Sequence, residues 1–190
     1  MSRHDASHQP GQPLTEQLQA VASYMAEQGL VLTTAESCTA GLIAAHLADV
    51  PGAGALLECA FVVYSPGAKQ HCLGVNAHTI ERCNLTSEEV AREMAQGALR
   101  HSHANLAIAN TGVTDATDPA VEPGTQCFAS LFAGHEGVPE ALQTETRQFS
   151  GERNAIREQA AVYALSQIAT RHGAFLQAAQ QAQSKPDPQS

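Results

Sequence analysis

The sequence predicts an α/β fold, a layered α/β/α domain built on a mixed, mostly parallel sheet. Three observations carry this expectation. Helical and strand periodicities alternate along the chain in the order α-β-α-β-α-α-β-β-β-α. The apolar share of 43% is mostly Ala, Leu and Val, with aromatics at 4% and no Trp, which suits closely packed layers. Polar residues stand where strands end, at Glu36-Ser37, Tyr64-Ser65 and Asn110-Thr111-Gly112. In open sheets of this class the site lies at the carboxyl ends of the parallel strands.

The elements follow in order. Residues 1–13 are polar, rich in His, Gln and Ser, and read as a disordered tail. Leu14, Leu18, Val21 and Met25 keep helical spacing, and Gly29 stops that helix. From Val31 an apolar, β-branched run reads as a buried strand. It turns at Glu36-Ser37 into a small-residue helix over 40–50, which Pro51-Gly52-Ala53-Gly54 ends. Residues 59–64 form a second strand, Ser65-Pro66-Gly67 a turn and residues 68–73 a short helix. Thr86-Ser87-Glu88-Glu89 is a capping box with Thr86 as cap, opening a long helix to about His101. Residues 105–110, 126–133 and 144–149 are strands, the last two antiparallel. Gly151 leads into a last helix with Ile156, Ala160, Ala164 and Ile168 on one face. The single domain spans 14–174, and the Gln/Ala-rich stretch 175–190 reads as a disordered tail.

Charge and cysteine usage narrow the function. A net charge of −9 argues against a basic nucleic-acid face, while leaving room for a local pocket of Arg and Lys. There is no long apolar run and no secretory signal, so no membrane is expected and the location is cytoplasmic. The five cysteines are odd in number and lack a CxxC, which reads as reduced thiols. None of them pairs with the nine histidines at ligand spacing, so no metal is expected.

The chemistry converges on Ser37. A serine at a strand-to-helix junction sits among backbone N–H groups without helical partners, which can bind an oxyanion. It is either a helix cap, worth roughly 1 kcal/mol, or a nucleophile in need of a base. Glu36 is a solvated turn residue or orients the site. Lys69 is the only lysine in the predicted fold, since Lys185 lies in the tail. It is an exposed helix-start cation or a desolvated base. Tyr64 is a half-buried tyrosine with a wet hydroxyl or a proton relay between the two. A Ser-Lys set needs no His or Asp.

Ala35-Glu36-Ser37-Cys38-Thr39-Ala40-Gly41 resembles the AESCTGG motif of the CinA C-terminal domain family, of the PncC type. Phe61-Val62-Val63-Tyr64-Ser65-Pro66-Gly67-Ala68-Lys69 is similar to its VxYSNxAK segment, and Leu73-Gly74-Val75 to the LGV that follows. Ser87-Glu88-Glu89-Val90 with Glu93-Met94-Ala95 and Gly97-Ala98 resembles its SxxVxxEMAxGA helix. Thr111-Gly112 is similar to the start of its TGxAGPxGG loop, and Gly151, Arg153 and Arg157 to its late GxRxxxR segment.

The resemblance implies a nicotinamide-nucleotide amidohydrolase, turning nicotinamide mononucleotide (NMN) and water into nicotinic acid mononucleotide and ammonia in pyridine nucleotide salvage. It implies Ser37 as nucleophile and Lys69 as base with Tyr64 as relay. Substrate contacts fall on Glu36, Cys38, Thr39, Gly41, Thr111, Gly112 and Arg153, the oxyanion hole on backbone N–H groups after Ser37. No cofactor is implied, and a homo-oligomer is. Arg153 and Arg157 are phosphate contacts or structural ion pairs. The chain departs from the family at Ala40 for a glycine, at Pro66 for an asparagine, and in the loop 113–125. That loop lacks the AGPxGG glycines and carries Asp115, Asp118 and Glu122, which would repel a substrate phosphate unless they point away. A non-catalytic paralogue binding a nucleotide or protein partner, or a hydrolase of another amide, is the alternative reading.

Overall fold

A computed structural model describes residues 13–134 and 138–183. The expected tail over 1–13 lies outside these residues except for Pro13, as do residues 184–190. The helices are α1 (Leu14–Gln28), α2 (Leu42–Ala48), α3 (Pro66–Leu73), α4 (Ala77–Cys83), α5 (Glu88–Arg100), α6 (Arg153–Ser166) and α7 (Ile168–Gln183). The strands are β1 (Leu32–Glu36), β2 (Leu57–Val62), β3 (Leu106–Gly112), β4 (Thr125–Phe132) and β5 (Ala141–Gln148).

The sheet order is β2-β1-β3-β4-β5. β1 lies parallel to both β2 and β3, while β4 pairs antiparallel with β3 and with β5. Four strands therefore point one way, and β4 alone runs back. Strand alternation divides the core in two. Leu106 and Ile108 of β3, with Phe128 and Phe132 of β4, face a layer made by α1, α2, α6 and α7. Ala107 and Ala109, with Cys127, Ala129 and Leu131, face α3 and α5 on the other side. The small residues on this second face let α5 lie close to the sheet. Its own stripe of Val90, Ala91, Met94, Ala95 and Ala98 is buried there.

Several boundaries differ from the sequence reading, each for a local reason. α2 starts at Leu42 rather than residue 40, because Ala40 and Gly41 both take positive φ, at 50° and 95°. Ser87, not Thr86, caps α5, accepting from Val90 N at 3.3 Å. The Thr86 amide donates to Asn84 Oδ1 at 3.2 Å, so Thr86 belongs to an Asx turn that precedes the cap. α4, capped by Asn76 through His78 N, has no counterpart in the sequence reading: seven residues carry too little apolar periodicity. The last helix is two, α6 and α7, divided at Gln167. The stretch from 175 is not tail throughout, since α7 continues to Gln183 and buries Phe175 and Ala179 against the core.

Gly97 controls how closely α3 approaches α5. A Cβ there would stand 2.2 Å from the Leu73 carbonyl oxygen. Gly97→Ala should therefore cost about 1–3 kcal/mol through overpacking, read as a lower urea midpoint with an unchanged slope.

Candidate active site

The site is built at the carboxyl ends of β1 and β3. β1 ends at Glu36, and the Ser37 amide still donates to the Asn110 carbonyl of β3 at 3.0 Å. The chain then turns tightly, with Ala40 N donating to Ser37 O at 3.1 Å. Glu36 is fully buried, and its carboxylate fixes this turn. It accepts from Thr34 Oγ1 (2.9 Å), Gly41 N (2.8 Å), Ile43 N (3.1 Å) and Ala44 N (3.0 Å). Those amides belong to the first turn of α2, where a negative charge meets the positive end of the helix dipole. The sequence reading gave these amides to a ligand; Glu36 takes them instead.

Other side chains hold the rest of the turn. Asn110 Oδ1 accepts from Thr39 N at 3.1 Å, and Asn110 Nδ2 donates to Gln126 Oε1 at 3.0 Å. Gln126 Nε2 donates to Cys38 Sγ at 3.3 Å and to Val113 O at 3.0 Å. From α6, Arg157 donates to the carbonyls of Cys38 (3.0 Å) and Thr39 (3.2 Å), a bidentate grip that orients both peptide planes. Between Ser37 and Gly41, four amides thus have internal partners, while Cys38 N–H has none among the described residues. It is the donor left for an oxyanion beside Ser37.

Lys69 arrives from the other side. Ser65 caps α3 by accepting from Ala68 N at 3.1 Å, and Pro66 occupies the first helical position, where its missing N–H costs nothing. Lys69 lies in the first turn and is 1% exposed. Its Nζ sits 2.8 Å from Ser37 Oγ, 2.9 Å from Val63 O and 3.2 Å from Tyr64 O. Burial disfavours the ammonium and lowers its pKa to about 8. Once the proton is lost, two N–H bonds still satisfy the two carbonyls and the lone pair faces the Ser37 hydroxyl. Neighbouring Cys38 is no rival nucleophile: burial pushes its thiol up and keeps it protonated.

A cavity of about 460 Å³ opens over this pair, within the size range of small-molecule sites. Ser37, Cys38, Tyr64, Lys69, Thr111, Gly112 and Arg153 line it together. Glu36, Thr39 and Gly41, expected to touch substrate, do not line it. Glu36 and Thr39 are buried in the turn, and the Gly41 amide is spent on Glu36. Tyr64 also differs from expectation. Lys69 meets Ser37 directly, so no relay stands between them, and the Tyr64 hydroxyl accepts from Arg153 Nη2 at 3.0 Å. The Tyr64 side chain is instead an exposed aromatic wall, at 56%. Asn110 stood at a strand end that the sequence marked for the site but was given no role, and Gln126 and the wall at Asn84, Leu85 and Thr86 were not singled out as site residues. Gln126 gave a weak signal, an amide side chain in a mostly apolar strand.

The fold and site define an open α/β domain with a buried serine–lysine pair at the carboxyl end of its first strand. The CinA C-terminal domain family matches residues 14–171, and the chain belongs to this family. It is 39% identical over 147 residues to the nicotinamide-nucleotide amidohydrolase PncC of Enterobacter agglomerans, covering 76% of this chain and 87% of that protein. The PncC of Escherichia coli K12 is 37% identical over 150 residues, covering 78% and 88%. A CinA-like protein of Chlorobium phaeobacteroides is 42% identical over 130 residues, which are 68% of this chain but 30% of that protein. The chain thus spans under a third of the length of this longer relative. Among solved structures, a CinA-superfamily protein of Escherichia coli superposes with a TM-score of 0.78 at 26% identity, covering 90% of this chain and 99% of that one. One from Klebsiella pneumoniae 700603 gives 0.77 at 30% identity, covering 87% and 99%.

Three outcomes follow from this geometry. If Ser37 reacts through neutral Lys69, the rate should rise tenfold per pH unit below about 8 and level off above it. The same lowered pKa means that the unfolded chain binds the extra proton between about 8 and Lys69's ordinary 10.5. Lys69's contribution to stability should therefore rise with pH across that window, measurable as the urea midpoint of wild type against Lys69→Met. Ala40 holds φ at 50°, where glycine carries no Cβ penalty. Ala40→Gly should stabilise the fold by about 0.5–1 kcal/mol, net of glycine's greater unfolded-state entropy, read by thermal melting.

Proposed function

We propose that this chain is an amidohydrolase of nicotinamide nucleotides, converting NMN and water to nicotinic acid mononucleotide and ammonia. The observation that carries the proposal is the 2.8 Å contact between Ser37 Oγ and a buried Lys69 amine whose other hydrogen bonds go to two carbonyls. The names of the Enterobacter and Escherichia relatives, which the chain matches over most of their length, supply the substrate class.

The steps follow from the residues. Neutral Lys69 takes the Ser37 proton as Oγ attacks the carboxamide carbon. The carbonyl electrons move to oxygen, and the Cys38 N–H faces that charge. Lys69 returns the proton to the amide nitrogen, the C–N bond breaks and ammonia leaves an ester on Ser37. Water then attacks the ester with Lys69 again as base, and releases the carboxylate and the Ser37 hydroxyl. Tyr64 offers an aromatic face to the pyridine ring, and Arg153 on the cavity wall offers a cation to the phosphate.

Purified protein incubated with NMN should release ammonia and nicotinic acid mononucleotide in equal amounts. Ser37→Ala should reduce the rate by about a thousandfold or more, because the covalent route is lost. A folded protein that forms no product would overturn the proposal in favour of a non-catalytic member of the family.

A further inference from the structure

Arg153 is already engaged before a phosphate arrives. Its Nη1 donates to Asp115 Oδ2 at 2.9 Å and to Thr114 Oγ1 at 2.9 Å, and Nη2 donates to the Tyr64 hydroxyl. The other cation lining the cavity, Lys69, is buried and spent on Ser37 and two carbonyls. Two carboxylates line the cavity as well, Asp115 and Asp118. Asp118 is committed elsewhere in the loop. It accepts from Asn84 Nδ2 at 2.6 Å and from Ala120 N at 2.9 Å, and these bonds hold its carboxyl below its usual range. Among the groups that hold Arg153, Asp115 is the one carboxylate, and so the one that competes with a phosphate for its charge.

We propose that Asp115 is a built-in competitor for substrate phosphate, exchanged for it at Arg153 on binding, and that it sets the pocket's discrimination between phosphorylated and unphosphorylated amides. This inference rests on the nucleotide reading of the site. The exchange is physically accessible because the pair is half exposed, with side chains at 52% and 50%, and such pairs hold weakly. The carboxylate also remains near after it is displaced. It then repels a phosphate dianion and leaves an uncharged ribose untouched.

The test is calorimetric binding in a Ser37→Ala background, which prevents turnover. NMN, nicotinamide riboside and inorganic phosphate are compared with and without Asp115→Asn, a change that keeps size and hydrogen bonding. NMN and phosphate should bind about tenfold tighter to the Asn variant, from the loss of a nearby like charge, with nicotinamide riboside unchanged. Adding Arg153→Gln should erase that gain. Unchanged or weaker NMN and phosphate binding, an equal gain for the riboside, or no binding of any phosphate ligand to either protein would overturn the inference. Failure of the hydrolase reading is read separately, as absent ammonia release by protein with Ser37 intact.

Discussion

A buried carboxylate is the constraint on which the site depends. Glu36 is shielded from water at the end of β1, and its charge is tolerable only because four donors surround it. Three of those donors are amides at the start of α2, so the charge fixes where the helix begins relative to the strand. With both ends pinned, the five residues between must close a short path, and they do so with positive φ at Ala40 and Gly41. Ser37 is the first residue of that path. Its direction is set by the carboxylate before it, by Asn110 beside it and by Arg157 behind it. Replacing Glu36 with glutamine would lose the charge and turn one acceptor into a donor facing amide donors.

The second charge is arranged in the opposite sense. Glu36 is buried among donors alone, whereas Lys69 is buried with partners that suit either protonation state. Its ammonium has three acceptors, and its neutral amine keeps two of them and turns its lone pair to the third. Desolvation then decides the balance and brings the pKa to about 8. The carbonyls of Val63 and Tyr64 are available because β2 ends at Val62, earlier than the apolar run suggests. In a longer strand successive carbonyls would point to opposite sides; the turn into α3 instead brings both to Lys69.

The chain's sequence made the layered α/β fold and the members of the serine–lysine pair legible, because buried strands and apolar helix faces leave periodic marks and the motifs stand in order. It did not reveal how Glu36 is used, since a carboxylate beside a serine reads equally as solvent-facing or orienting. Tyr64 misled because its backbone carbonyl, not its hydroxyl, meets Lys69, and sequence does not distinguish main-chain from side-chain contacts. Asn110 and Gln126 act across two strands joined in antiparallel register, so their pairing needs the sheet before it can be seen. The break at Gln167 was hidden because Ile156, Ala160, Ala164 and Ile168 keep one apolar face through it.

The topology explains why the longest departure from the family falls in the loop 113–125. β1 connects to β2 over one face of the sheet through α2, and β2 connects to β3 over the other through α3, α4 and α5. The connections therefore part between β1 and β3, leaving a crevice beyond their carboxyl ends where Ser37 and Thr111 meet. The residues beneath the crevice, Glu36, Lys69, Asn110 and Gln126, are almost wholly buried, and each is hydrogen-bonded to the Ser37–Gly41 turn or to a neighbour that holds it. Above it, Arg153 bridges Tyr64 and Asp115 at the solvent boundary. The loop 113–125 is tied back at its base, through Val113 with Thr125 and Gly124, and at Asp118. Between those ties a residue can change its charge without disturbing the buried pair. The crevice thus has two layers, the lower fixed by burial and hydrogen bonding and the upper exposed and free to vary.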